Sequence, residues 1–153
     1  MSELHIREFA VGQLSETIAV GQKLAELLPR PACVYLQGPL GAGKTSLCQA
    51  MIHALGNTSP VTSPTYNLIQ EYPLAAGCVY HMDLYRLNDP LELEYLAIAD
   101  LWLPDSVFLI EWPEHGLGMI PPATDIIELQ PGVESNVRSI RHRRVNEAQH
   151  ESV

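Results

Sequence analysis

Ala32-Cys-Val-Tyr-Leu-Gln37, then Gly38-Pro-Leu-Gly-Ala-Gly-Lys-Thr45, then Ser46 through Leu55 is the stretch that decides the fold. A β-branched and aromatic run enters a glycine-rich loop, and a helix-forming run leaves it. Gly38, Gly43, Lys44 and Thr45 fit GxxxxGK(S/T), the P-loop pattern, in the strand–loop–helix setting that this motif requires. Glycines at 38, 41 and 43 let the backbone turn tightly and aim its amides at phosphate oxygens. A helix beginning near Lys44 brings its positive dipole end to the same place. Lys44 is expected to neutralise terminal phosphates and the Thr45 hydroxyl to sit on Mg2+. Gly41-Ala-Gly43 also begins a GxGxxG dinucleotide fingerprint, but its third glycine position is Ser46 and that motif has no use for Lys-Thr. The expected fold is α/β: a three-layer P-loop NTPase with a mixed, mainly parallel central sheet.

Working outward, Leu4 to Phe9 alternates like an edge strand. Ser15 to Leu28 carries apolar residues at 18, 20, 24, 27 and 28, the spacing of an amphipathic helix with Ser15 as N-cap. Beyond the loop helix, Gly56-Asn-Thr-Ser-Pro60 is a stop signal. The runs ending at Tyr72 and beginning at Cys78 flank Ala75-Ala-Gly77 and suggest a hairpin. Pro90 to Leu101 reads as a helix with proline in its first turn, and Ser106 to Ile110 as a buried strand. Thr124 to Gln130 and Val133 to Ile140 read as two more strands. A single ATPase domain is expected over residues 1–140, with a disordered polar tail over 141–153.

The chain has 153 residues, enough for one core without staples. Its nine basic and 18 acidic residues give a net charge of −9. Such a chain is ill suited to hold nucleic acid through backbone electrostatics, which need Lys and Arg. Only Lys23 and Lys44 are lysines, so contact with nucleic acid is expected to run through a partner. No apolar run approaches the roughly 20 residues of a membrane span. The amino terminus lacks a signal-peptide core, and a cytoplasmic location is expected. Cys33, Cys48 and Cys78 are scattered and form no CxxC pair, so neither zinc nor a disulfide framework is suggested.

A P-loop enzyme needs an acid at the carboxyl end of a neighbouring strand. Glu111 follows Val107-Phe-Leu-Ile110 and is preferred, as the magnesium-side or water-orienting group. Asp83 follows the poorer run Val79-Tyr-His-Met82 and stands second. Thr62-Ser63-Pro64-Thr65 sits where a segment sensing the γ-phosphate is often found, although a plain turn is an equally simple account. His81 reads as a packed histidine, and Glu92 and Glu94 as solvated. Trp112, beside Glu111, is read either as a neighbour of the nucleotide or as ordinary packing. No Asn-Lys-x-Asp guanine motif is present, and Arg86 is the one arginine between Arg30 and Arg138. An arginine-bearing kinase lid is therefore missing from the pattern, and hydrolysis should be slow until a partner completes the site. A small-molecule or nucleoside kinase is the alternative suggested by chain size and loop. A nucleotide-dependent interaction module with incidental hydrolysis is another.

The loop Gly38–Thr45, Ser63-Pro-Thr65, His81-x-Asp83-Leu-Tyr-Arg86-Leu and Glu111-Trp-Pro113, in this order and spacing, closely resemble the bacterial TsaE (YjeE) family. Ser15-Glu-Thr17 with Gly21 resembles its amino-terminal helix, and the similarity covers about residues 15–118. The resemblance implies a weak Mg-dependent ATPase, working with ATP and Mg2+, in threonylcarbamoyl modification of the adenosine beside the anticodon in ANN-decoding tRNAs. It implies a TsaB–TsaD complex as partner, tRNA reached only through that complex, and no membrane. ATP hydrolysis would reset the complex between turnovers, while the transfer itself happens elsewhere.

Residue by residue, the resemblance implies that Leu40, Gly41, Ala42, Gly43, Lys44, Thr45 and Ser46, with Gly38, hold phosphates. Thr17 would lie near the nucleotide, Thr45 and Glu111 would bind magnesium, and Asp83 would support metal or water. Pro39 departs from the family's usual Asp, at a position whose side chain faces no phosphate. Arg138, Arg141, Arg143 and Arg144 read either as a contact for tRNA or partner or, preferably, as part of a solvated tail.

Overall fold

Strands whose residues alternate between two apolar faces need a layer on each side, and this chain supplies two unequal ones. In Val34, Leu36, Val107, Leu109 and Ile127 the sheet faces one buried cluster; in Cys33, Tyr35, Phe108 and Ile110 it faces another. That period of two is what a strand buried on both sides requires. The computed structural model describes residues 6–62, 68–132 and 137–145.

Seven strands form one sheet in the order β1-β7-β6-β2-β5-β4-β3. They are β1 (Ile6–Val11), β2 (Ala32–Gln37), β3 (Ile69–Pro73), β4 (Cys78–Asp83), β5 (Ser106–Glu111), β6 (Asp125–Pro131) and β7 (Arg138–Arg144). The central strands β6, β2, β5 and β4 are parallel; β3 on one side and β7 and β1 on the other add antiparallel edges. The mixed α/β fold with a parallel centre is the one expected from the sequence. The expected hairpin is present as β3–β4, with Tyr72 opposite Val79.

Two helices, α1 (Leu14–Leu27) and α2 (Lys44–Ala54), cover one face. Leu24, Leu47, Met51 and Ile52 are fully buried there. Close approach of the helices depends on Gly21, where a methyl group would lie only 2.6 Å from the Ala50 Cβ. The N-cap of α1 is Gln13 rather than Ser15, with no side-chain cap. Glu16, in the first turn, instead reaches back to accept the Gly12 amide at 3.2 Å.

The other face is covered by shorter elements. Residues 90–101, expected as one helix, form two 3-10 helices, Pro90–Leu96 and Ile98–Leu101. Ala97 breaks them apart at φ 49°. The apolar pairs Leu93/Leu96 and Ile98/Leu101 are three residues apart, and that spacing aligns side chains on one face at three residues per turn.

At the carboxyl end β7 runs from Arg138 to Arg144, four residues into the segment expected to be tail; residues 133–136 of the expected Val133–Ile140 strand lie outside the described residues. Pairing on both sides, with β1 and β6, holds it, and Ile140 and His142 point inward. Residues 146–153 lie outside the described residues. No helix among the described residues is long and apolar enough to cross a membrane.

Candidate functional site

β2 ends at Gln37 in the centre of the parallel sheet, and the glycine-rich loop carries the chain from its carboxyl end into α2. Gly43 is the N-cap of α2 at φ 99°, a left-handed conformation that a side chain strongly disfavours. A side chain on Gly38 would run into the Leu129 carbonyl of β6. Lys44 opens α2 and is buried. Its Nζ donates to the Gly38 carbonyl at 2.5 Å and lies 3.6 Å from the centre of the Trp112 ring. Burial pushes its ammonium below the ordinary lysine value, against the pull of Glu111, Glu114 and Asp83. Trp112 reaches this position from a backbone at φ 58°, the kind of uncommon conformation that gathers at functional sites.

The two acids chosen from the sequence end adjacent parallel strands, and Asp83 of β4 is register partner to Glu111 of β5. Glu111 is 2% exposed. Thr45 donates its hydroxyl to Glu111, Oγ1 lying 3.2 Å from Oε1 and 3.4 Å from Oε2. On the other side Oε2 lies 2.7 Å from His81 Nε2. His81 Nδ1 is buried and has no hydrogen-bond partner among the described residues. Asp83 is half-buried and accepts the Tyr85 amide at 3.1 Å. Burial raises its carboxyl above the ordinary value, partly offset by that amide.

A cavity of about 370 Å³ is walled by Leu40, Gly41, Gly43 to Ser46, Asp83, Tyr85, Glu111, Trp112 and Arg138. A second, of about 250 Å³, is walled by Val11 to Leu14, Thr17, Ser46 and Arg138. Ser46 and Arg138 border both. A wider cavity of about 510 Å³ lies elsewhere, against the 3-10 helices, and is mostly apolar.

The donor chemistry suits a hard cation. Thr45, Glu111 and Asp83 offer oxygen atoms, the ligand type Mg2+ takes. Cys48, His81 and Glu111 also converge, with donor atoms within 4.8 Å of one another. Burial holds the Cys48 thiol well above its ordinary value, however, so it stays protonated and is a poor ligand.

The structure thus brings Gly38, Leu40, Gly41, Gly43, Lys44, Thr45, Ser46, Asp83 and Glu111 around one place, with Thr17 on the wall of the adjoining cavity. Ala42 is buried in the loop, and its amide closes a turn onto the Pro39 carbonyl. Arg86 is exposed and not in either wall. Ser63, Pro64 and Thr65 lie outside the described residues. Arg138, which the sequence places only in an arginine-rich carboxyl segment, stands on both cavity walls. The arginines of β7 do not form one patch: Arg141 pairs with Glu8 at 3.6 Å, and Arg144 binds Asp125 at 2.8 Å.

Fold and site define the class: an α/β protein whose parallel sheet presents a glycine-rich strand–loop–helix and two acids at its carboxyl edge. Among solved structures, YdiB of Bacillus subtilis superimposes with a TM-score of 0.77 at 23% identity, over 99% of this chain and 93% of that one. Residues 11–142 match the family model of the threonylcarbamoyl adenosine biosynthesis protein TsaE. The tRNA threonylcarbamoyladenosine biosynthesis protein TsaE of Haemophilus influenzae is 46% identical over 114 residues, 71% of this chain and 72% of that protein. Its namesake in Aquifex aeolicus is 30% identical over 138 residues, 89% and 95% of the two chains. The chain belongs to the TsaE family of tRNA threonylcarbamoyladenosine biosynthesis.

Proposed function

We propose that this chain binds and hydrolyses ATP with Mg2+ at the Gly38–Thr45 loop, as the accessory ATPase of a TsaB–TsaD-like complex that modifies tRNA. The observation that carries the ATPase reading is the Thr45 hydroxyl against the buried Glu111 carboxylate, at the mouth of the glycine-rich loop and beside Lys44. Thr45, Glu111 and Asp83 would hold Mg2+, which neutralises charge on the terminal phosphates. Backbone amides of the loop and the amino end of α2 would bind phosphate oxygens. Lys44 would exchange the Gly38 carbonyl and Trp112 ring for the terminal phosphates. Glu111 and Asp83 would orient the water that attacks the γ-phosphorus; the bond to the β–γ bridging oxygen breaks, giving ADP and inorganic phosphate.

The net charge of −9 disfavours direct tRNA binding. The partner complex supplies that contact in this reading. The kinase alternative has chain size and the loop in its favour and no geometric observation. Reconstituted threonylcarbamoylation of tRNA by TsaB and TsaD, with and without this chain, is the test. Repeated turnovers are expected only with the chain and ATP together. Equal product over many turnovers without it would refute the role.

A further inference from the structure

Arg138 is the first residue of β7. It pairs in register with Val11, at the end of β1, and Pro131, at the end of β6. Because β6 is parallel to β2, this puts Arg138 at the same carboxyl edge of the sheet as the glycine-rich loop. Its guanidinium lies directly over the loop: a Cβ built on Gly43 would sit 2.7 Å from Arg138 Nη1. Gly43 is needed for its left-handed turn, and the end of the Arg138 side chain lies against it.

Among the described residues no carboxylate pairs with Arg138, whereas Arg141 and Arg144 on the same strand each have one. The residue is exposed and borders both cavities, as Ser46 does. Lys44 and Thr45 face the cavity that holds the two acids. Ser46, one residue further on, marks the border with the cavity of Val11 to Leu14 and Thr17. A nucleotide with its terminal phosphates at Lys44 would cross that border at its innermost phosphate.

On the reading that this site binds ATP, we infer that Arg138 is a positioning residue that grips the α-phosphate of the nucleotide. A guanidinium offers a planar fork of donors that fits two phosphate oxygens at once. The α-phosphate is common to ATP and ADP and does not change during hydrolysis. Arg138 should therefore set affinity for both nucleotides and not the rate of the chemical step, unlike an arginine acting on the γ-phosphate. Arg86 is the one arginine between Arg30 and Arg138 in sequence, and it lies in neither wall; the register of β7 brings Arg138 to the loop instead.

The test compares the wild-type chain with Arg138→Ala and Arg138→Lys, titrating MgATP and MgADP by calorimetry and following phosphate release. An exposed strand-end residue can be replaced without loss of fold, and the circular dichroism melt checks that it has been. Arg138→Ala is expected to weaken MgATP and MgADP alike by about tenfold, the scale of a lost charged hydrogen bond. KM should rise by about the same factor with kcat within about twofold, since the loss is in uniform binding. Arg138→Lys should recover part of the affinity. Unchanged MgADP affinity would overturn the inference, and so would a collapse of kcat at unchanged affinity, which would move the guanidinium to the γ-phosphate. A wild-type chain that binds neither nucleotide would overturn the ATP reading itself, and the wild-type titration alone identifies that case.

Discussion

Two buried histidine–carboxylate pairs stand at opposite ends of the same sheet. At the carboxyl end His81 holds Glu111, and at the amino end of β6 His142 holds Asp125, each at 2.7 Å and each almost fully buried. Their surroundings differ. Asp125 takes hydrogen bonds from Thr124 at 2.7 Å and Arg144 at 2.8 Å besides His142, so both oxygens are satisfied and its charge is matched. Arg144 also ties the pair to the Leu27 carbonyl at the end of α1. Burial would raise the Asp125 carboxyl, but those donors and the arginine charge hold it below its ordinary value. Glu111 has His81 on one oxygen and only a long bond from Thr45 on the other. Among the described residues no arginine pairs with it, and it faces a cavity. Similar chemistry thus gives a closed structural clamp at one end and an acid open to a ligand at the other, at the edge where open parallel sheets bind ligands.

The largest effect expected is on the open end. Lys44→Ala should cut ATP hydrolysis by about a hundredfold or more, by loss of a charge aimed at the transferring phosphate. Phosphate release at saturating ATP would register it, and hydrolysis at near wild-type rate would place the reaction elsewhere.

At the closed end Asp125→Ala should leave ATP affinity alone and cost about 3–5 kcal/mol of stability, the scale for breaking a buried charged pair. Urea denaturation measures the loss. The sign of its pH dependence follows from the lowered carboxyl. Its contribution is present above the ordinary value of 3.8 and is lost as pH falls through the lower folded value. Wild type should therefore lose stability on acidification more steeply than Asp125→Asn.

Asp83 should show the opposite sign. Its raised carboxyl contributes stability below the ordinary value of 3.8, and that contribution is lost as pH rises through the higher folded value. At neutral pH Asp83→Asn should be more stable than wild type, on the order of 0.5 kcal/mol, with hydrolysis reduced. The gain should shrink as pH falls. A loss of stability at pH 7 would show that Asp83 is a structural group like Asp125.

The open end was largely legible in the sequence because its parts are local. The loop, its lysine and its threonine are contiguous, and Glu111 and Asp83 each close a short apolar run at a strand end. The closed end was not legible. Asp125 and His142 meet only through the antiparallel register of β6 and β7, in which Asp125 lies opposite Arg144. Arg138 was hidden for the same reason, reaching Gly43 through two strand pairings. His81 is packed, as its place in the run Val79 to Met82 implies; its tie to Glu111 depends on β4 lying beside β5. The apolar spacing of 90–101 suits an α-helix nearly as well as a 3-10 helix, and only Ala97 at φ 49° breaks the run.

The most direct test of the contrast measures Mg-dependent ATP hydrolysis and ATP affinity side by side in Glu111→Gln and Asp125→Asn. Glu111→Gln should keep ATP affinity within a few-fold and lose hydrolysis by about a hundredfold or more. Asp125→Asn should hydrolyse at the wild-type rate while melting lower. Wild-type hydrolysis by Glu111→Gln would contradict the account.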